Sequence, residues 1–349
     1  MLAGILRRAL VIFVAAFACN AEAAGTGHSA LYRIIKSVPL GAPDRWDYLT
    51  FDPASARVYI AHGDHLTVVN GHTGKIVGTV KGMPGGTHGI VIYHPTNTGY
   101  TDDGEAGEAV AFDLDTLEVT HRIKAGDDAD GIVLDSASKH LYVIDGDIGK
   151  VTVIDPKTNK VVATIDGGSK LEFGVADDRG HLYINGEAKR EILRVDTHTN
   201  KVTANWPITN CASPHGIAMD RNSRRLFVTC ENKQMMVVNA DSGEVVATLP
   251  IGVFSDGAAF DWRRGRAFSS NGGGTITVVS KLGRDDYSVA GNVSTMSGGR
   301  TMAIDPNSGR LYVVAAHITV NTSAPATDYR HRYQIEPGST RLLFLDPVH

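Results

Sequence analysis

The chain is poor in cysteine, with three among 349 residues, and poor in aromatic side chains, which make up 7%. It has no surplus of positive charge: the formal net charge is −4 at pH 7. After the N-terminal segment, no apolar run approaches the roughly 20 residues needed to span a bilayer. Few cysteines exclude a small disulfide-stapled scaffold. The acidic balance argues against a broad nucleic-acid surface, which needs a basic face. No G-x-S-x-G is present, and the Gly-rich run S-S-N-G-G-G-T at Ser269–Thr275 precedes a strand rather than a helix, so it is not a phosphate cradle.

The N-terminus differs from the rest. Arg7 and Arg8 precede the apolar run Ala9–Ala18, and Ala21-Glu22-Ala23 offers a small-x-small cleavage site. This reads as a secretory signal peptide over residues 1–23. It places the mature chain, residues 24–349, in the periplasm or outside the cell. A lipid anchor at Cys19 is disfavoured because Phe17 occupies a position where such sites take a small residue. Loss of Arg7, Arg8 and Glu22 leaves a net charge of about −5.

What the mature chain has in abundance is a repeat. Gly131–Ile165 reads G-I-V-L-D-S-A-S-K-H-L-Y-V-I-D-G-D-I-G-K-V-T-V-I-D-P-K-T-N-K-V-V-A-T-I, and Gly216–Leu249 is a near-copy. Each unit holds four apolar runs separated by Gly, Asp, Asn, Pro and Ser, a strand-and-turn pattern. In the first copy the runs are Ile132–Leu134, Leu141–Ile144, Val151–Ile154 and Val161–Ile165, termed strands A to D. Seven copies align on Asp47, His88, Asp130, Phe173, His215, Asp256 and Arg300, at spacings of 41 to 44 residues. A period of this length signals a β-propeller, one blade per repeat. The last copy lacks a strand D, and Leu31–Leu40 has that character. The expected fold is therefore a single all-β, seven-bladed propeller of four antiparallel strands per blade, its ring closed by an N-terminal strand that completes the last blade.

Topology sorts the loops. The A–B and C–D turns are short and regular. The opposite face carries the segments entering strand A and the B–C loops, and irregular loops on a rigid frame are where sites lie. Strand A is innermost, so Asp47, His88, Asp130, Phe173 (or its neighbour Glu172), His215, Asp256 and Arg300 are expected to ring the channel mouth. Trp46 is placed either against a ligand there or between blades. The B–C loops add a second tier: His62, His65, Asp102, Asp103, Glu105, Asp145, Asp147, Asn185, Glu187, Glu231, Asn232, Asn271 and His317.

Three readings of the ring compete. His88, Asp130, Glu172, His215 and Asp256 offer donors for a divalent ion of the Zn or Ca type. Converging carboxylates repel unless a cation joins them, and Arg300 alone is too little for four. The remaining reading is a water-filled, ion-paired channel. An insertion at 316–338 joins B to C in the last blade, and within it Tyr329, Arg330, His331 and Arg332 are candidates to cap the channel and hold an anionic or aromatic ligand; a solvated loop is the alternative. Cys211 and Cys230 fall at the same end of one blade, which in an oxidising compartment favours a disulfide over two buried thiols or a soft-metal pair.

The run L-Y-V-I-D-G-D-I-G-K-V-T-V-I-D-P-K-T-N-K-V-V-A-T-I resembles the YVTN repeat of YncE-like β-propeller proteins, and Leu311–Ala315 and Leu226–Cys230 match the same core. The resemblance spans roughly Leu31 to Pro347 and implies an exported bacterial propeller. One well-known member is associated with single-stranded DNA, which the acidic charge here opposes. Others are called gluconolactonase-like, which implies a divalent cation held by Glu, Asn and Asp in the central channel of a six-bladed relative. Glu172, Asp256 and Asn271 are the counterparts here.

The expectation is an exported monomeric propeller that binds a small ligand, a metal ion or a partner protein at its channel mouth without catalysis. The alternatives are a metal-dependent hydrolase or lactonase using His88 or His215 as ligand or base, and a scaffold for an envelope complex.

Overall fold

In the computed structural model, which describes residues 31–325 and 332–348, seven four-stranded antiparallel sheets follow one another along the chain, with one two-stranded ribbon besides. The signal-like segment 1–23, and Tyr329, Arg330 and His331 of the insertion, lie outside the described residues. The third blade shows how the repeat becomes structure. Its strands are Ala129–Asp135, His140–Asp145, Lys150–Asp155 and Lys160–Asp166, each one to three residues longer at its ends than the apolar run that marks it. Strands B and C pack on both faces, so their apolar runs are continuous; Leu141, Tyr142, Val143 and Ile144 are all buried. Strand D is the outer edge of the blade and largely exposed.

The A–B turns are held by an aspartate at the end of strand A. Asp52, Asp135, Asp220, Asp261 and Asp305 each accept backbone N–H groups two or three residues ahead, as in Asn307 N to Asp305 at 2.9 Å. This is the Asx-turn logic that makes the turns regular. The inner strands crowd together at the axis. A Cβ on Gly89 would strike the backbone of Gly131 and Ile132, and one on Gly216 the backbone from Asp256 to Ala258. Glycine is needed there for close approach of neighbouring blades.

Buried tyrosines bolt successive blades. Tyr100 donates to the carbonyl of Pro156, Tyr142 to that of Thr197, Tyr183 to that of Ala240 and Tyr312 to that of Gly71, at 2.9–3.2 Å. The first copy of the repeat packs against the last: Thr301 Oγ1 donates to the Asp47 carbonyl at 2.7 Å. In the seventh sheet the strand order runs Tyr32–Pro39, Arg341–Pro347, Leu311–Ala315, Thr301–Ile304, so the first strand of the described chain lies outermost beside the last. The 316–338 insertion contains a small ribbon, Ile318–Val320 paired with Tyr333–Ile335. Cys211 and Cys230 form a disulfide between the loop before strand A and the end of strand B in the fifth blade.

Candidate functional site

The segments entering strand A bring the predicted residues together. Arg300 pairs with Asp256 and lies 3.6 Å from Asp47. His215 Nδ1 lies 3.4 Å from Glu172 and 3.8 Å from Asp256. His88 Nδ1 lies 3.9 Å from Asp130. Asp47, His88 and Asp130 each offer a ligand atom within 4.8 Å of the others. All of these groups except His88 line a cavity of about 300 Å³, together with Tyr48, Glu231, Phe254 and Ser255.

Taken in blade order, the ring reads acid, base, acid, acid, base, acid, base. Opposite charges alternate at every step except one, between Asp130 and Glu172. A ring of seven positions cannot alternate two signs throughout, so the seven-fold architecture forces one like-charge step. Two imidazoles, and not Arg300 alone, offset the carboxylates. This corrects the expectation that a single arginine faced four acids.

The electrostatics follow. Burial by itself would lower the pKa of His88, but its hydrogen bond to Asp102 and the charges of Asp102, Asp47 and Asp130 outweigh it and raise it to about 10. Burial likewise opposes protonation of His215, and Glu172 and Asp256 reverse that, raising it to about 9. Burial, then Asp47 and Glu172, push Asp130 up to about 8. Glu172 is raised by burial as well, in spite of His215.

Asp102, from the second tier, is wholly buried and acts behind the ring. It accepts from His88 Nδ1 at 2.6 Å and from the backbone N–H groups of His88 and Gly89. Burial raises its pKa to about 6, still below that of His88, so the pair is ionic at neutral pH. Asn185 donates to the His215 carbonyl at 2.6 Å and steadies that loop. Others of the tier serve the frame. Asp103 accepts from Gly85 N, Asp145 from Ile148 N, and Glu187 holds Ser213 and Lys170. His62 is buried against Thr67, and His65 sits on Asp64.

Several assignments change. Trp46 is buried in the core cluster between the last and first blades and does not line the cavity, because its indole fills the gap the blade junction leaves. Phe173 does not contribute a polar group. It stacks on Tyr48 from across the channel, ring centroids 4.2 Å apart, and Glu172 takes its place in the ring. Asn271 does not join Glu172 and Asp256: its side chain is buried, donating to Thr275 and Thr277 and accepting from Ser269. The Glu–Asp–Asn set implied by the lactonase resemblance is therefore not assembled at the mouth. Arg332 donates to the Ala324 carbonyl at 2.9 Å and braces the insertion.

Tyr48 and Phe254 were not singled out from sequence. Tyr48 directly follows an anchor aspartate. Phe254 is an aromatic in an irregular loop two residues before Asp256, a weak signal that only its position at the cavity wall makes meaningful.

No protein-family model matches the chain. Among curated proteins it is similar to YncE of Salmonella typhimurium, 23% identical over 191 residues, and to YncE of Salmonella typhi, 22% identical over 193 residues. The chain spans about half the length of these relatives, 52% and 54%, and the matches take in 52% and 53% of the chain itself. Solved structures of similar fold include a chain of the Kuenenia stuttgartiensis hydrazine synthase, with TM-score 0.67 and 18% identity over 76% of this chain and 91% of that one. They also include a chain of a mitotic checkpoint complex, with TM-score 0.72 and 14% identity over 97% and 100%. A third is U3-55K, with TM-score 0.75 and 10% identity over 91% and 98%. At these identities the structural likeness speaks to fold alone. With its repeat and its seven four-stranded sheets, the chain is a seven-bladed β-propeller similar to YncE.

Proposed function

We propose that the channel mouth is a non-catalytic recognition site for a small cationic ligand, an organic ammonium group in particular. The observation that carries this reading is the one acid–acid step in the ring, Asp130 beside Glu172 on the cavity wall, where burial raises the pKa of both carboxyls and Asp47 and Glu172 raise Asp130 further, to about 8. A ligand cation would take the place of the proton that Asp130 holds. The neighbouring charges are already matched: Lys170 sits on Glu187, and Arg300 on Asp256 and Asp47. The stacked Tyr48–Phe173 pair offers an aromatic face suited to a cation. The test is calorimetry with ethylammonium at pH 6 and pH 9. Binding should be tighter at pH 9, should release a proton at pH 6, where Asp130 holds one, and should be lost in Asp130→Asn/Glu172→Gln. Equal binding by the double variant would overturn the reading.

A second reading has its own support. Asp47, His88 and Asp130 form a group with the reach to hold a divalent ion, and a histidine whose Nδ1 donates to a buried aspartate is a common arrangement behind a metal. Such an ion would polarise a carbonyl or activate water. Elemental analysis of purified protein, with a lactone and ester panel on wild type, His88→Ala and His215→Ala, separates the two. Stoichiometric metal with turnover lost in the variants favours the hydrolase. The Cys211–Cys230 disulfide supports export to an oxidising compartment.

A further inference from the structure

Beside the acidic cavity, on the same face, lies a second one of about 360 Å³ with a mainly apolar lining. Its walls are Gly272, Gly273 and Gly298 on one side and Ile318, Val320 and Tyr333 of the insertion ribbon on the other. Phe254 and Arg300 line both cavities, so the two are adjacent. Phe254 is unusual in itself. Its φ is +57°, a left-handed conformation in which a bulky aromatic is rare and strained. The fifth blade has the same backbone turn two residues before its ring histidine, and there the position is Ser213, with φ +45°. The turn therefore accepts a small polar residue. In the sixth blade it carries a phenylalanine that is 43% exposed and meets Tyr333 edge-on at 5.6 Å. A costly residue, half open to solvent, at the junction of a charged and an apolar cavity points to contact with a ligand and not to packing.

We propose that the two cavities form one bipartite site for an amphiphilic cation, its charged head at the Asp130–Glu172 step and its apolar arm passing Phe254 into the pocket under the insertion ribbon. The inference rests on the cation reading of the channel mouth. The geometry limits the ligand class to a compact ammonium or guanidinium group on an aliphatic or aryl tail. Charge without a tail leaves the ribbon pocket unfilled, and a tail without charge leaves the acidic step unmatched.

The test is calorimetric titration of the full chain with straight-chain amines from ethylammonium to octylammonium, and with the neutral alcohols of the same lengths. In the wild type, amine affinity should rise about fourfold for each methylene buried once the tail reaches past Phe254. That rise should flatten in Phe254→Gly, which relieves the backbone, and in Val320→Asn, on an exposed ribbon position; thermal melts of both variants confirm folding. Amines that bind with no dependence on length would overturn the bipartite site and leave the cation reading standing. Alcohols that bind as tightly as amines, with the same length dependence, would keep the apolar pocket and overturn the cation head. An unchanged length dependence in both folded variants would remove Phe254 and the ribbon from the site.

Discussion

At the scale of single residues, His88 and Asp102 show how a buried charge is made tolerable. A histidine this enclosed would ordinarily be neutral, since desolvation disfavours the imidazolium. Asp102 reverses this by accepting a hydrogen bond from the imidazolium Nδ1–H, and two backbone N–H groups keep Asp102 ionised in turn. Asp102→Asn should therefore lower the His88 pKa from about 10 by more than one unit, read from the imidazole resonances in an NMR titration. It should also cost roughly 3 kcal/mol of stability, as expected when one partner of a buried ion pair is removed. An unmoved His88 titration would mean that Asp47 and Asp130 hold the charge without it. The residue was visible in the sequence as one of several acids in a B–C loop. Its role was not, because nothing in T-D-D-G-E tells which carboxylate turns inward.

At the scale of elements, the fifth blade is stapled covalently. Cys211 and Cys230 are 19 residues apart in sequence, and closing a loop of that size stabilises by about 3 kcal/mol in the chain-entropy account. A Cys211→Ser/Cys230→Ser double variant should lose about that much in urea melts, and the wild type should lose a similar amount on reduction. Because the loop it ties leads directly into His215, ligand affinity at the mouth should fall along with stability. A double variant that melts like the wild type would show that the tight packing of the pair, and not the bond, holds the loop. The turns illustrate the opposite case. D-x-x-S and D-x-x-S-x-R runs are legible because each aspartate closes its own turn locally, without help from the rest of the fold.

At the scale of the whole molecule, the ring couples stability to pH. His88 and His215 have folded-state pKa values of about 10 and about 9 against an ordinary 6.5, and Asp130 about 8 against 3.8. In each case the folded protein holds a proton that the unfolded chain releases. The stability they contribute is complete below their unfolded values and is lost as pH rises through the folded ones. Stability should thus decline from pH 4 to 8 through Asp130 and from pH 6.5 to 10 through the histidines. At the acid end, Asp52, Asp177 and Asp220, whose pKa values are lowered by their hydrogen bonds in spite of burial, withdraw their stabilisation as pH falls below about 3.8. Denaturation monitored from pH 3 to 10 should peak in mild acid, and Asp130→Asn should flatten its descent between pH 4 and 8. A maximum above pH 8 would contradict this account.

The seven-fold repeat, the strand order within a blade, the turn chemistry and the closeness of Cys211 to Cys230 were all decided locally, by apolar periodicity and turn residues that recur every 41 to 44 positions. A reader of the chain alone can therefore place the anchor residues about a common axis. The alternation of charge around that axis emerges only in the structure, where Glu172 replaces Phe173 in the ring and, against burial, the neighbouring carboxylates keep His88 and His215 protonated. What the linear chain does not hold is which way each side chain turns at the mouth. Trp46 and Asn271 sit among predicted ligands in sequence, yet the core claims one and a buried hydroxyl network the other. Phe254 and Tyr48, unremarkable in sequence, become walls of the cavity. Blade packing at the axis makes these choices, through contacts between residues more than two hundred positions apart, such as Arg300 with Trp46 and Asp47.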